Sequence, residues 1–203
     1  SQVRDFHWLA RHIPEGTDAK LTDVTETLAV LGVMGPKARG LLQGLTDGDL
    51  SNGAFPFGAS REIEIGGGKV RASRISYVGE LGWELYIPTG AATGVFDAVA
   101  QAGDAHGLVP AGMHAMQSLR IEKAYRAWGH DIGDQDTALE AGLGFAVAWD
   151  KAGGFIGRDA LSRQRQEGIN RRLVQFILDD PEPLLYGREP VLPGSRRVWR
   201  LVG

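Results

Sequence analysis

The chain has no cysteine among its 203 residues. That excludes a disulfide framework, a cysteine-ligated zinc site, an iron–sulfur cluster and a cysteine nucleophile. No apolar run approaches the ~20 residues needed to cross a bilayer, so no membrane partner is expected. The stretch Ser1-Gln2-Val3-Arg4-Asp5 is polar and charged, unlike a signal peptide, and the expected location is cytoplasmic or an organelle matrix. Positive charge is not in excess: 22 Lys and Arg stand against 25 Asp and Glu, for a net charge of -3 and a pI near 6.0. Such a chain has little field with which to displace counterions from phosphates, so no nucleic-acid partner is expected. Catalytic and nucleotide signatures are missing too. Ser76 and Ser118 lack a GxSxG elbow. Gly66-Gly67-Gly68 and Gly142-Leu143-Gly144 fit neither GxGxxG nor a P-loop. There is no HExxH and no carboxylate cluster, so no metal is expected.

What is present is globular. Hydrophobic residues make up 43% and charged residues 23%, which is average for a packed domain. A chain of this length can bury most of its apolar surface without staples. Glycine is abundant at 29 residues, about twice its ~7% average usage, and is dispersed as turns and helix ends would require. Periodicity predicts helices at Phe6–Ile13, Pro36–Leu45, Ala91–His106, Met113–Tyr125 and Arg158–Glu167, the last stopped by Gly168. In Ala91–His106, Val95, Phe96, Val99 and Ala102 are expected on the buried face. Strands are predicted at Thr25–Val33, Arg61–Ile65, Val70–Tyr77, Trp83–Ile87 and Leu173–Leu178. Short mixed units joined by hairpins argue for an α+β fold with antiparallel sheets, best fitted by ferredoxin-like split βαβ units.

The most informative segment is Ile75-Ser76-Tyr77-Val78-Gly79-Glu80-Leu81-Gly82-Trp83-Glu84-Leu85-Tyr86. Taken as a hairpin with a four-residue loop, it sets Tyr77 opposite Glu84, with Ile75 and Tyr86 on the same face. A carboxylate among two phenols and an isoleucine needs a donor, because burying it unpaired is costly. A planar ligand with adjacent N–H donors, such as the amino-pyrimidinone edge of a pterin or guanine, satisfies it through both oxygens. The bland alternative is a solvent-facing glutamate on a half-exposed sheet.

A second segment runs Leu119-Arg120-Ile121-Glu122-Lys123 into Tyr125-Arg126-Ala127-Trp128-Gly129-His130-Asp131-Ile132. Its charges are expected to pair structurally, Arg120 or Lys123 with nearby acids. Adjacent His130 and Asp131 rarely converge on one ion.

Four runs in order resemble the aminomethyltransferase family, the folate-binding T-protein of the glycine cleavage system. They are Tyr77-Val78-Gly79-Glu80-Leu81-Gly82-Trp83-Glu84, Gly112 with Ser118-Leu119-Arg120-Ile121-Glu122, Ala138-Leu139-Glu140-Ala141-Gly142-Leu143-Gly144, and Phe155-Ile156-Gly157-Arg158-Asp159-Ala160-Leu161. Phe6-His7-Trp8-Leu9 and Arg126–Ile132 are similar to the branch fused to FAD-dependent dimethylglycine and sarcosine dehydrogenases.

The resemblance implies two ferredoxin-like lobes and a small β-barrel around a tetrahydrofolate channel. On it, 1–66 belongs to one lobe, 67–168 to a second lobe with its connector, and 169–203 to the start of the C-terminal barrel. Glu84 then pairs with the pterin ring and Tyr77 lies beside the folate. The family's key aspartate is expected upstream of Ser1, so no catalytic residue is assigned within the chain, which is expected to be part of a larger protein and inactive alone. Met116 stands where the glycine-cleavage enzymes carry an arginine. The implied activity is one-carbon transfer to tetrahydrofolate, with a one-carbon donor as second small molecule. FAD would be bound by an upstream oxidoreductase domain and not by this segment. A stand-alone aminomethyltransferase or demethylase, and a non-catalytic folate-binding scaffold, remain as alternatives.

Overall fold

Alternating apolar and polar residues build one four-stranded sheet, and two helices cover its apolar face. The computed structural model describes residues 1–178, 180, 182 and 199–202. The chain divides into two units, Ser1–Met116 and Gln117–Gly203. The first opens with α1 (Gln2–Arg11), which buries none of its residues. A short 3-10 turn at Thr25–Thr27 leads into β1 (Leu28–Met34), then α2 (Ala38–Gln43), β2 (Ser60–Ile65), β3 (Gly68–Ser73), β4 (Gly82–Pro88) and α3 (Ala92–Gly103).

The sheet order is β1-β4-β3-β2, and every neighbouring pair is antiparallel. Its inner face presents Val33, Ile63, Ile65, Val70, Ala72, Trp83, Leu85 and Ile87, all buried. Ala38, Leu41 and Leu42 of α2, Val95 and Val99 of α3, and Leu50 and Phe55 of the connection complete the core. Burying each large aliphatic or aromatic side chain contributes about 1.5–3 kcal/mol. The Gly66-Gly67 turn abuts α3: a Cβ on Gly66 would lie 2.7 Å from the Gly94 carbonyl oxygen, and Gly66 has φ +57°. Only glycine fits there.

The α+β class with an antiparallel sheet is what the sequence predicts. The strand order departs from a split βαβ unit. Here β2, β3 and β4 follow one another as a meander, so β1 and β2 become the two edges and run antiparallel, with a pair of strands between them. Phe96 departs as well. It is 55% exposed, whereas Val95, Val99 and the half-buried Ala102 face the sheet. One residue on from Val95 is a turn of about 100° around the helix axis, enough to leave the buried stripe.

The second unit is built differently. α4 (Met113–Glu122) runs across the division and α5 (Arg158–Glu167) follows a long irregular segment; β5 (Gln175–Leu178) pairs with β6 (Trp199–Val202). α5 has the predicted bounds, and Gly168 ends it at φ +91°. Among the described residues of this unit only Ala127 and Ala141 are buried hydrophobics. Two arginine networks hold it instead. Arg120, 4% exposed, donates through Nε to Gln117 Oε1 at 2.8 Å and through Nη1 to the Tyr125 carbonyl at 2.9 Å, and it pairs with Asp131. Asp131 also accepts from the Ala127 N–H at 2.9 Å. Arg171 pairs with Asp136 at 3.0 Å and Glu140 at 3.1 Å. The structural pairing expected for Arg120 is therefore present, and Asp131 is committed to it.

The boundaries expected near residues 66 and 168 do not coincide with this division, since Gly66 and Gly67 turn the chain within one sheet. The expected barrel start over 169–203 falls mostly outside the described residues.

Candidate functional site

On β4, inward Trp83, Leu85 and Ile87 alternate with half-buried Glu84 and Tyr86 on the outer sheet face. Residues two apart on a strand share a face, so Glu84 and Tyr86 meet: the Tyr86 hydroxyl donates to Glu84 Oε2 at 2.7 Å. Glu84 lies between Gly32 on β1 and Ser73 on β3. Neither neighbour crowds it. Gly32 has no side chain, and the Ser73 hydroxyl donates to Ser60 Oγ at 3.0 Å. No hydrogen bond to Glu84 Oε1 is present among the described residues. The carboxylate therefore keeps one oxygen for an external donor on the outer sheet face.

The contact shifts Tyr86. Its phenol is held above the ordinary tyrosine value, first by its hydrogen bond to Glu84, then by burial and by the glutamate's charge. The hydroxyl stays protonated and keeps donating. Beside the pair, Leu28, Lys69, Arg71, Ser73, Tyr86 and Pro88 wall a shallow cavity of about 420 Å³ together with Glu62. A larger cavity of about 710 Å³, lined by residues 43–48, 62–64, 66, 67 and 69, includes neither Glu84 nor Tyr77.

The placement expected for Tyr77 is not found. β3 ends at Ser73 and β4 begins at Gly82, so Tyr77 sits in the connection 74–81, away from the ladder. Ile75 and Val78 lie in the same connection. The four-residue loop fails because Arg74 turns to other partners: its N–H donates to the Ala59 carbonyl at 2.9 Å, and its carbonyl accepts from the Gly58 N–H at 2.9 Å. Farther on, the Ser76 hydroxyl approaches Met34 Sδ at 3.6 Å, and the Leu81 carbonyl accepts from the Gly35 N–H at 2.8 Å. The direct Tyr86–Glu84 bond was not anticipated, although their two-residue spacing on one strand face is the signal for it. The part played by Arg74 had no motif to announce it.

A family model described as the GCVT N-terminal domain matches residues 1–151. The chain belongs to the GCVT N-terminal domain family. Among curated proteins, this GCVT-family chain is 43% identical over 184 residues to the mitochondrial sarcosine dehydrogenase of Homo sapiens, covering 91% of this chain and 19% of that protein. It is 41% identical over 202 residues to the mitochondrial dimethylglycine dehydrogenase of Homo sapiens, covering 98% and 22%. It is 39% identical over 173 residues to the aminomethyltransferase of Caldanaerobacter subterraneus subsp. tengcongensis, covering 85% and 46%. The chain thus spans about a fifth of the dehydrogenases and under half of the transferase. Among the described residues no helix is long and apolar enough to cross a membrane, and no group of three or more His, Asp or Glu is placed to hold a metal ion.

Proposed function

We propose that this chain is the tetrahydrofolate-binding, one-carbon-transfer portion of a dimethylglycine or sarcosine dehydrogenase-like enzyme, working in the cytoplasm or an organelle matrix. The observation that carries the reading is the Glu84 carboxylate, half-buried on an open sheet face with one oxygen on Tyr86 and the other available. A pterin's amino-pyrimidinone edge offers two adjacent N–H donors. Glu84 accepts them, and Tyr86, by holding Oε2, fixes the plane in which the ring is received. Tyr77 completes the folate contacts from the connection 74–81.

Tetrahydrofolate supplies the amine nitrogen that takes up the one-carbon unit. This chain's part is to bind and orient it, which raises the effective concentration of the reacting partners. FAD belongs to an oxidoreductase portion that this segment does not form, and no catalytic acid is assigned within the chain. The second reading is a T-protein-like aminomethyltransferase, favoured by the 39% identity to the Caldanaerobacter enzyme. An FAD-binding signature elsewhere in the encoded protein distinguishes the two.

The test is titration of the full-length protein with tetrahydrofolate, followed by tryptophan fluorescence, for the wild type and Glu84→Gln. The amide keeps the shape but loses the charge and one acceptor. Binding is expected to weaken by about 1.5–3 kcal/mol, as for hydrogen bonds to a charged group. Equal affinity in the variant removes Glu84 from the site.

A further inference from the structure

We infer that Arg74 is a positioning residue, the post that sets the connection 74–81 and with it Tyr77. The inference rests on the folate reading above. Arg74 follows Ser73, the last residue of β3, and Ser73 is the residue paired with Glu84. Its backbone leaves the β4 ladder at that point and pairs with Gly58 and Ala59, both at 2.9 Å. Its side chain turns to the inner face of the sheet. There Nη1 donates to the Phe55 carbonyl at 2.7 Å, and the guanidinium carbon lies 5.8 Å from the centre of the Trp83 ring.

The setting is costly for a cation. Nε is buried without a partner, and no carboxylate pairs with this guanidinium among the described residues. A charge kept half-buried without a counter-ion contributes little to stability. What it does here is geometric. It ties the root of the connection to Phe55 and Trp83, and Trp83 is the β4 neighbour of Glu84. The far end is tied independently, at Gly35 through the Leu81 carbonyl, and Ser76 rests on Met34 between the two. Tyr77 lies between these anchors, so releasing Arg74 loosens the connection around it while leaving Glu84 and Tyr86 on their strand.

The experiment uses the full-length protein with Arg74→Met, Arg74→Lys, Tyr77→Phe and the Arg74→Met/Tyr77→Phe double variant. Two readouts are taken: amide hydrogen exchange over 75–81, and tetrahydrofolate affinity. Arg74→Met is expected to speed exchange over 75–81 at least about tenfold while protection in β2 and β3 persists. It should also weaken tetrahydrofolate binding about tenfold, with the double variant no weaker than the poorer single one, because both changes act through one side chain. Arg74→Lys keeps a donor for the Phe55 carbonyl and should recover much of both effects. It also serves as the folded comparison if the methionine variant unfolds. Unchanged exchange over 75–81, or affinity losses that simply add, overturns the role of Arg74. Unchanged affinity in both Glu84→Gln and Tyr77→Phe overturns the folate reading instead.

Discussion

The two units solve the problem of staying folded by different means. Ser1–Met116 packs fifteen buried hydrophobic residues between a sheet and two helices. Gln117–Gly203 buries two alanines among its described residues, and leaves Phe145 86% exposed and Trp128 50% exposed. Among those described residues, Arg120 and Arg171 each hold several acceptors from separate stretches of chain. Apolar burial is non-directional and tolerates repacking. Charged hydrogen bonds fix geometry but fail sharply when one partner is lost. The candidate ligand platform sits on the unit with the apolar core, where a rigid strand holds Glu84 and Tyr86 in register.

The largest effect should come from the second unit. Asp131→Ala leaves the buried Arg120 without its counter-ion, and such a change costs about 3–5 kcal/mol. Hydrogen exchange should show protection lost within residues 117–178 and retained in β1 to β4. Loss in both units together would mean that they do not differ in this way. Next is Leu42→Ala, which empties a fully buried site of the first unit and should cost about 2–5 kcal/mol by denaturant unfolding. An effect below 1 kcal/mol would show that the first unit's core is loosely packed.

A pair of glycines sharpens the contrast. Both have positive φ, but a Cβ on Gly66 meets the Gly94 backbone at 2.7 Å, whereas one on Gly142 meets the end of the Arg126 side chain at 2.6 Å. Backbone does not yield and a guanidinium does. Gly66→Ala should therefore destabilise the protein more than Gly142→Ala in denaturant unfolding, by about 1–2 kcal/mol. Equal losses would remove the distinction.

The smallest effects concern pH. The Glu140 carboxyl is held below its ordinary value, chiefly by the Thr137 N–H and then by Arg171. A lowered carboxylate stabilises the fold above its unfolded value and loses that contribution as pH falls through the folded one. The second unit should thus weaken below about pH 4.5, and Glu140→Gln should flatten that acid limb in a melting series. Tyr86 has the opposite sign. Raised by Glu84, it stabilises below its ordinary value near pH 10 and loses that contribution as pH climbs through the folded value. Phenolate absorbance should show Tyr86 titrating late, a component that Tyr86→Phe removes.

Much of the first unit was legible in the sequence because its signal is periodic. Trp83, Leu85 and Ile87 alternate with Glu84 and Tyr86, and that alternation assigns them to opposite faces. The facing of Tyr77 was not legible. Loop length decides register, and the departure at Arg74 depends on backbone partners more than ten residues away in sequence. In the second unit, residues 123–157 carry glycines and charges without a period, so neither helix nor strand could be read there. The charge pairing of Arg120 could be anticipated, but not its choice of Asp131, since both turn on a loop closed by Gly129 N–H to the Ile132 carbonyl at 2.8 Å.

The most direct measurement is a crystal structure of the full-length protein with a reduced folate bound. The pyrimidinone N–H edge is expected within about 2.7–3.2 Å of the Glu84 carboxylate oxygens, with Tyr86 still donating to Oε2. A folate bound elsewhere, with Glu84 turned to bulk water, would contradict the account.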